Sequence, residues 1–217
     1  MLRRTLLTAL GLAALGACQP NVVGFSRTLG REAEEREPVF ERRRTWFDAE
    51  HAHLRSETEY LVQHDGIAEK HGRERRWYPD GTPQLEREFR HGEPSGQWRA
   101  WFASGQLRSE SFHDPSTEPH PARWWYEDGT PSTEGQTRDG VRTGTWRTFH
   151  PNGVLESEGP YVQGKLQGTW TYWDADGALV QRGEYREGER VGTWEFGPGF
   201  SSAPRPPPSP ETSEPPQ

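Results

Sequence analysis

Polar and apolar positions through the middle of the chain return on a step of 24 residues. Gly81, Gly105, Gly129, Gly153 and Gly177 form one column. Gly72, Gly96, Gly144, Gly168 and Gly192 form a second, in which His120 alone breaks the series. A third column reads Trp77, Trp101, Trp125, Phe149 and Trp173, and a fourth reads Trp98, Ala122, Trp146, Trp170 and Trp194. A fixed period is the mark of a repeat architecture. The first-column glycines follow Asp80, Ser104, Asp128, Asn152 and Asp176. Asp-Gly and Asn-Gly are strong signals for a two-residue type I′ turn, so each unit is expected to be a β-hairpin.

With the turn pair central, cross-strand partners have numbers with the same sum as the turn pair. This rule sets Arg75 opposite Glu86, Arg99 opposite Glu110, Arg123 opposite Glu134 and Arg147 opposite Glu158, while Thr171 meets Arg182 in the last unit. It also sets Trp146 opposite Gly159 and Trp170 opposite Gly183, each indole covering a residue without a side chain. Phe102 is expected to meet Leu107, and His150 to meet Leu155. Strand alternation places Trp101 on the face of Arg99 and Glu110, with Trp98 and Phe102 on the other. A lone hairpin is not independently stable, so the units must stack, and short returns such as Gly140-Val141-Arg142-Thr143-Gly144 and Gly164-Lys165-Leu166-Gln167-Gly168 allow it. The expected fold is all-β: an array of antiparallel hairpins forming an extended twisted sheet or solenoid over residues 66–197, with disordered ends.

The flanks read differently. Arg3 and Arg4 precede an apolar run from Leu6 to Leu15 that is about half the roughly 20 residues needed to span a bilayer, as in an export signal over residues 1–17. The run Leu15-Gly16-Ala17-Cys18 resembles a bacterial lipobox. That resemblance implies lipidation of Cys18, palmitate-type acyl chains and an anchored domain; the alternative is an ordinary secreted protein with a spare thiol. Residues 18–44, with Arg and Glu alternating from Arg31 to Arg44, are expected to be a tether, residues 45–65 an N-terminal cap, and residues 198–217 a Pro-rich disordered tail. Pro115 to Pro121 replaces the glycine return of the third unit, where a bulge or loop is expected.

Gly168-Thr169-Trp170, Trp173, Gly177, Leu179, Tyr185, Gly188 and Gly192 form the fullest copy of a pattern that resembles MORN repeats, in the bacterial variant of proteins classed with the YwqK-type antitoxin-like family. The resemblance implies a repeat protein and allows a toxin-neutralising role. Trp77-Tyr78-Pro79-Asp80-Gly81 and Trp124-Trp125-Tyr126-Glu127-Asp128-Gly129 also resemble choline-binding or glucan-binding hairpin repeats, in which aromatics stack on sugars or quaternary ammonium groups.

Composition narrows the chemistry. Only 30% of residues are hydrophobic, with 24 Gly and 19 Pro, yet 10 are Trp, so a small core rich in indole is expected. Cys18 is the only cysteine, which leaves no disulfide or thiolate site. The formal charge of -7, deepened by the loss of Arg3 and Arg4 on export, argues against nucleic acid and anionic lipid. Glu50-His51-Ala52-His53 sets two imidazoles on one side of a strand, but solvated histidines are the better reading, and no metal or cofactor is expected. Motifs for a nucleophile elbow, a phosphate loop or a zinc protease are absent. The Glu86, Glu110, Glu134 and Glu158 column reads as structural, because repeated carboxylates with Arg partners do not make an asymmetric active site.

The functional expectation is a non-enzymatic, lipid-anchored envelope protein on the outer membrane, facing periplasm or exterior. It would bind an unidentified envelope protein through the stripe Trp77, Trp101, Trp125, Phe149 and Trp173. The alternatives are a cell-wall glycan or choline ligand, or a spacer whose indoles only cover Arg and Glu stems.

Overall fold

The structure, a computed structural model, describes residues 38–114 and 118–199. The expected signal at 1–17, Cys18, the tether up to residue 37, residues 115–117 and the tail from residue 200 lie outside the described residues. Among the described residues every regular element is a strand. In chain order these are β1 (Val39–Trp46), β2 (Leu54–Val62), β3 (Ala68–Trp77), β4 (Pro83–Arg90), β5 (Glu93–Trp101), β6 (Leu107–His113) and β7 (His120–Trp125). Then follow β8 (Pro131–Arg138), β9 (Val141–Phe149), β10 (Leu155–Val162), β11 (Lys165–Leu166), β12 (Gly168–Trp173), β13 (Leu179–Arg186) and β14 (Glu189–Phe196). All join one antiparallel sheet in which each strand pairs with the next, β11 pairing with β10 beside the main path, and β1 and β14 ending that path. The sheet runs on through the third unit, where β6 and β7 pair only at Ser109–Trp124 and Glu110–Arg123.

The Arg–Glu register has the expected sums, although the turns are not the expected ones. Gly81 has φ +88° while Asp80 does not enter the left-handed region, so the pair cannot form a type I′ turn, which needs positive φ at both residues. Instead Gly81 N–H donates to Tyr78 O at 2.9 Å and Tyr78 N–H to Thr82 O at 2.8 Å, a type I turn followed by a glycine bulge. Pro79 presets the first central φ, and Asp80 Oδ1 accepts the Thr82 N–H at 2.8 Å. This longer turn sets Trp77 opposite Pro83, one position away from the simple rule, and an extra residue in β4 then restores Arg76–Leu85 and Arg75–Glu86. The same two offsets cancel in every later hairpin. They also correct the expected pairs of Phe102 with Leu107 and His150 with Leu155: the partners of the leucines are Trp101 and Phe149.

True type I′ geometry lies at the opposite ends of the strands. His91-Gly92, Asp139-Gly140, Gln163-Gly164 and Glu187-Gly188 have positive φ at both residues. The expected five-residue returns are therefore not loops, since two residues complete the reversal and β9 begins at Val141.

One face of the sheet forms the core: Ala122, Trp146, Tyr161, Trp170, Tyr172, Val180 and Tyr185 are buried together, with Trp124, Leu166 and Trp194 packed against them. The indoles do cover glycines, but not their partners within the hairpin. Trp146 lies over Gly135, Trp170 over Gly159 and Trp194 over Gly183, in each case a glycine of the preceding hairpin. The cause is local. Between Gln136–Thr143 and Glu134–Arg147, β9 has Gly144, Thr145 and Trp146 facing the single residue Gly135, and this bulge swings the ring back across β8. The indole N–H then donates to the backbone: Trp98 to Glu88 O at 3.0 Å, Trp146 to Gln136 O at 3.1 Å and Trp170 to Pro160 O at 3.1 Å. Arg142 and Arg190 lie over the Trp146 and Trp194 rings at 4.4 and 3.6 Å.

The tether boundary is corrected at its C-terminal end. Val39 to Arg44 belong to β1, because Arg42 and Arg44 find Glu59 and Glu57 across the ladder at 2.8 and 2.7 Å. The expected cap over 45–65 contains β2 and the loop before it, where Asp48 accepts the N–H groups of Ala52 and His53.

Candidate binding face

The side of the sheet away from the buried indoles carries the Arg–Glu ladder. Arg75, Arg99, Arg123 and Arg147 stand opposite Glu86, Glu110, Glu134 and Glu158, and Thr171 opposite Arg182. Arg75 Nε reaches Glu86 at 3.1 Å and Arg99 Nε reaches Glu110 at 3.4 Å, while Arg147 bridges Glu158 in its own hairpin and Glu134 in the previous one. The hydrogen bond that Arg147 donates to Glu158, then the charge of Glu158, holds the guanidinium above its ordinary range. These groups stay about half exposed, where a single pair contributes little to stability. The ladder's effect is to set register and to present alternating charge.

Trp77, Trp101, Trp125, Phe149 and Trp173 are all half-buried and come at the end of the strands next to the type I turns. Their backbone is stitched to the preceding hairpin. Tyr78 Oη donates to Trp101 O at 3.0 Å, Tyr126 Oη to Phe149 O at 2.6 Å and His150 Nε2 to Trp173 O at 2.9 Å. Sequence reasoning passed over these three donors. Their signal was available, since Tyr78, Phe102, Tyr126, His150 and Asp174 form another column with the 24-residue step.

The other missed residue is Glu74, which occupies the place before Trp98 in the indole column and is 2% exposed. Burial tends to raise its carboxyl, but the hydrogen bond and charge of Lys70, with Arg76, outweigh that and hold it below the usual carboxylate range. Trp77 borders the cleft over this residue.

His53 Nδ1 lies 2.7 Å from Asp48 Oδ2, and His51 stacks on Trp46 at 5.1 Å. Among the described residues no group of three or more His, Cys, Asp or Glu is arranged to hold a metal ion.

A family model described as a MORN repeat variant matches residues 70–91, 142–163 and 166–187, which lie in the hairpins β3–β4, β9–β10 and β12–β13. No curated protein matches the chain. One similar solved structure is the crystal structure of a protein with unknown function from Bacteroides fragilis NCTC 9343, 11% identical over 70% of this chain and 96% of that chain. Its TM-score of 0.17 carries no structural argument. What the hairpin geometry and the three matched segments establish together is an all-β repeat protein in which three segments are similar to the MORN repeat variant.

Proposed function

We propose that the chain is a non-enzymatic protein-binding module, held on a bacterial envelope membrane by a lipid on Cys18, that receives its partner on the face of the Arg–Glu ladder and the Trp77, Trp101, Trp125, Phe149 and Trp173 stripe. One observation carries this reading: the two sides of the sheet are used unequally. From β8 to β14 the indole face is closed by its own rings and glycines, whereas the ladder face keeps Arg147 and Glu158 at 47% and 37% exposure, with the half-buried Phe149 two residues along β9 from Arg147. Tryptophan and arginine at regular spacing on an open sheet suit a protein surface, because these residues dominate interface energetics. The arginine partners of Glu86, Glu110 and Glu158 support a structural role for those carboxylates. Toxin neutralisation is the specific task that the family resemblance suggests, with the toxin met at the periplasmic or outer surface.

The test is in-cell crosslinking of the tagged full chain, with Trp101→Ala, Trp125→Ala as control and the unfolding of both forms measured in parallel. An enriched protein that is lost in a control of unchanged stability supports the reading. A catch that is the same in both forms refutes the stripe. Lipidation is tested by Cys18→Ser, which should release the chain from the membrane fraction and remove the acyl mass; unchanged membrane association refutes it.

A further inference from the structure

At its N-terminal end the buried face stops filling itself. The column of Trp98, Ala122, Trp146, Trp170 and Trp194, three of which lie in the core with Trp194 packed against it, begins with Glu74, so a carboxylate stands where the repeat otherwise places a ring or a methyl group. Above it opens a cleft of about 580 Å3, within the size range of small-ligand sites. Its floor is Thr58, 8% exposed, and Glu74.

Cations outnumber carboxylates in this cleft, although the chain as a whole is acidic. Lys70 Nζ and Arg76 Nη2 hold the two Glu74 oxygens at 3.1 and 2.9 Å, and the exposed Arg55 adds a third positive group at the mouth. Coulomb attraction therefore favours an anionic ligand. A small dianion such as phosphate is a poor match, because the Glu74 carboxylate on the floor would repel it. Arg76 takes both acceptor positions of Glu74 Oε1 through Nε and Nη2, but Oε2 is bonded by Lys70 alone and has a further lone pair that can accept a hydroxyl proton from a ligand. Ser56 and Tyr60 add hydroxyls to the wall, and Trp77 and Tyr78 add flat apolar surface at the rim. Carboxylate, hydroxyls and a ring with an apolar face are the chemistry that matches all three.

We propose that this cleft binds an acidic sugar unit, with the sugar carboxylate at Arg55, ring hydroxyls on Glu74 and the hydroxyl wall, and the ring against Trp77 or Tyr78. This site meets the protein-binding stripe only at Trp77, and neither proposal needs the other. The detergent-solubilised full chain is titrated with sodium glucuronate, glucose and inorganic phosphate, followed by calorimetry and Trp fluorescence. Glucuronate saturates, glucose binds at least about tenfold more weakly, and phosphate does not saturate. Arg55→Ala weakens glucuronate about tenfold with little change for glucose. Because Arg55 is exposed, its loss leaves the unfolding midpoint in place. Glucuronate that fails to saturate, phosphate or glucose that binds as tightly, or an Arg55→Ala chain that binds glucuronate unchanged would each overturn the proposal. A protein captured by crosslinking without glucuronate binding would sink only this site.

Discussion

Replacing Gly159 by alanine tests the packing rule on which the buried face depends. Gly159 does not have positive φ, so its backbone accepts alanine and the effect is steric. A Cβ built there falls 2.5 Å from Trp170 Cγ and nearer still to Cδ2. Ordinary carbon contact begins near 3.5 Å, so the indole must retreat by about 1 Å. Trp170 is 1% exposed and has little room to move, and overpacking of this kind costs about 1–3 kcal/mol. Retreat also stretches the bond from Trp170 Nε1 to Pro160 O, now 3.1 Å, and a buried donor left unpaired costs about 1–3 kcal/mol more. The lower entropy of the unfolded alanine chain returns roughly 0.4–1 kcal/mol. The expected net loss is about 1–5.5 kcal/mol, with a middle value of about 3. Urea unfolding followed by Trp fluorescence reads it directly, with Gly129→Ala as reference. Gly129 has open space around its missing Cβ and only backbone strain to lose, roughly 1–2 kcal/mol. The reasoning fails if Gly159→Ala costs no more than Gly129→Ala, or if a double-mutant cycle with Trp170→Ala shows no coupling.

Three further outcomes follow from particular side chains. Gln181 is fully buried with neither side-chain amide atom bonded, so Gln181→Met should raise stability by about 1–2 kcal/mol in the same urea assay. Tyr126→Phe removes the donor to Phe149 O at 2.6 Å, and a loss of about 1 kcal/mol is expected, whereas a Phe at the already apolar position 102 is native and has no such bond to lose. Glu74 has a carboxyl held below its reference value of 4.5, so its contribution is complete above that pH and disappears as pH falls through the depressed native value. Glu74→Gln should therefore flatten the acid limb of the stability–pH curve below about pH 4.5, as measured by unfolding midpoints at successive pH values.

The period, the hairpins and the four Arg–Glu pairs were all legible, because a ladder propagates one rule and five units repeat it. The type of turn was not legible from Asp-Gly alone. Asp80-Gly81 and Asp139-Gly140 are the same dipeptide, yet only the second is type I′, and the difference is set by Pro79 and by the Asp80 cap on Thr82. The register rule survived because the bulge in β4 adds the residue that the longer turn displaces. The glycine under each indole was assigned to the wrong neighbour, since a pairing rule holds no information about which way a bulge swings a ring. Residues 39–44 read as tether because the β1–β2 pairs do not share the period of the later hairpins; their strand character becomes evident only once Glu57 and Glu59 are placed opposite Arg44 and Arg42. Glu74 was visible in the indole column, but a column of tryptophans gives no reason to look for the position where one is replaced.

The stitches that tie one hairpin to the next reach no further than the following unit, as Tyr78 does to Trp101 and Tyr126 to Phe149. A hairpin inserted in phase would therefore find every partner it needs in its two neighbours, and it would widen the sheet by two strand spacings, about 9.5 Å. Gene duplication can then set the reach of such a protein in fixed increments, as a ruler is lengthened by adding graduations, while the chemistry at either end is left untouched.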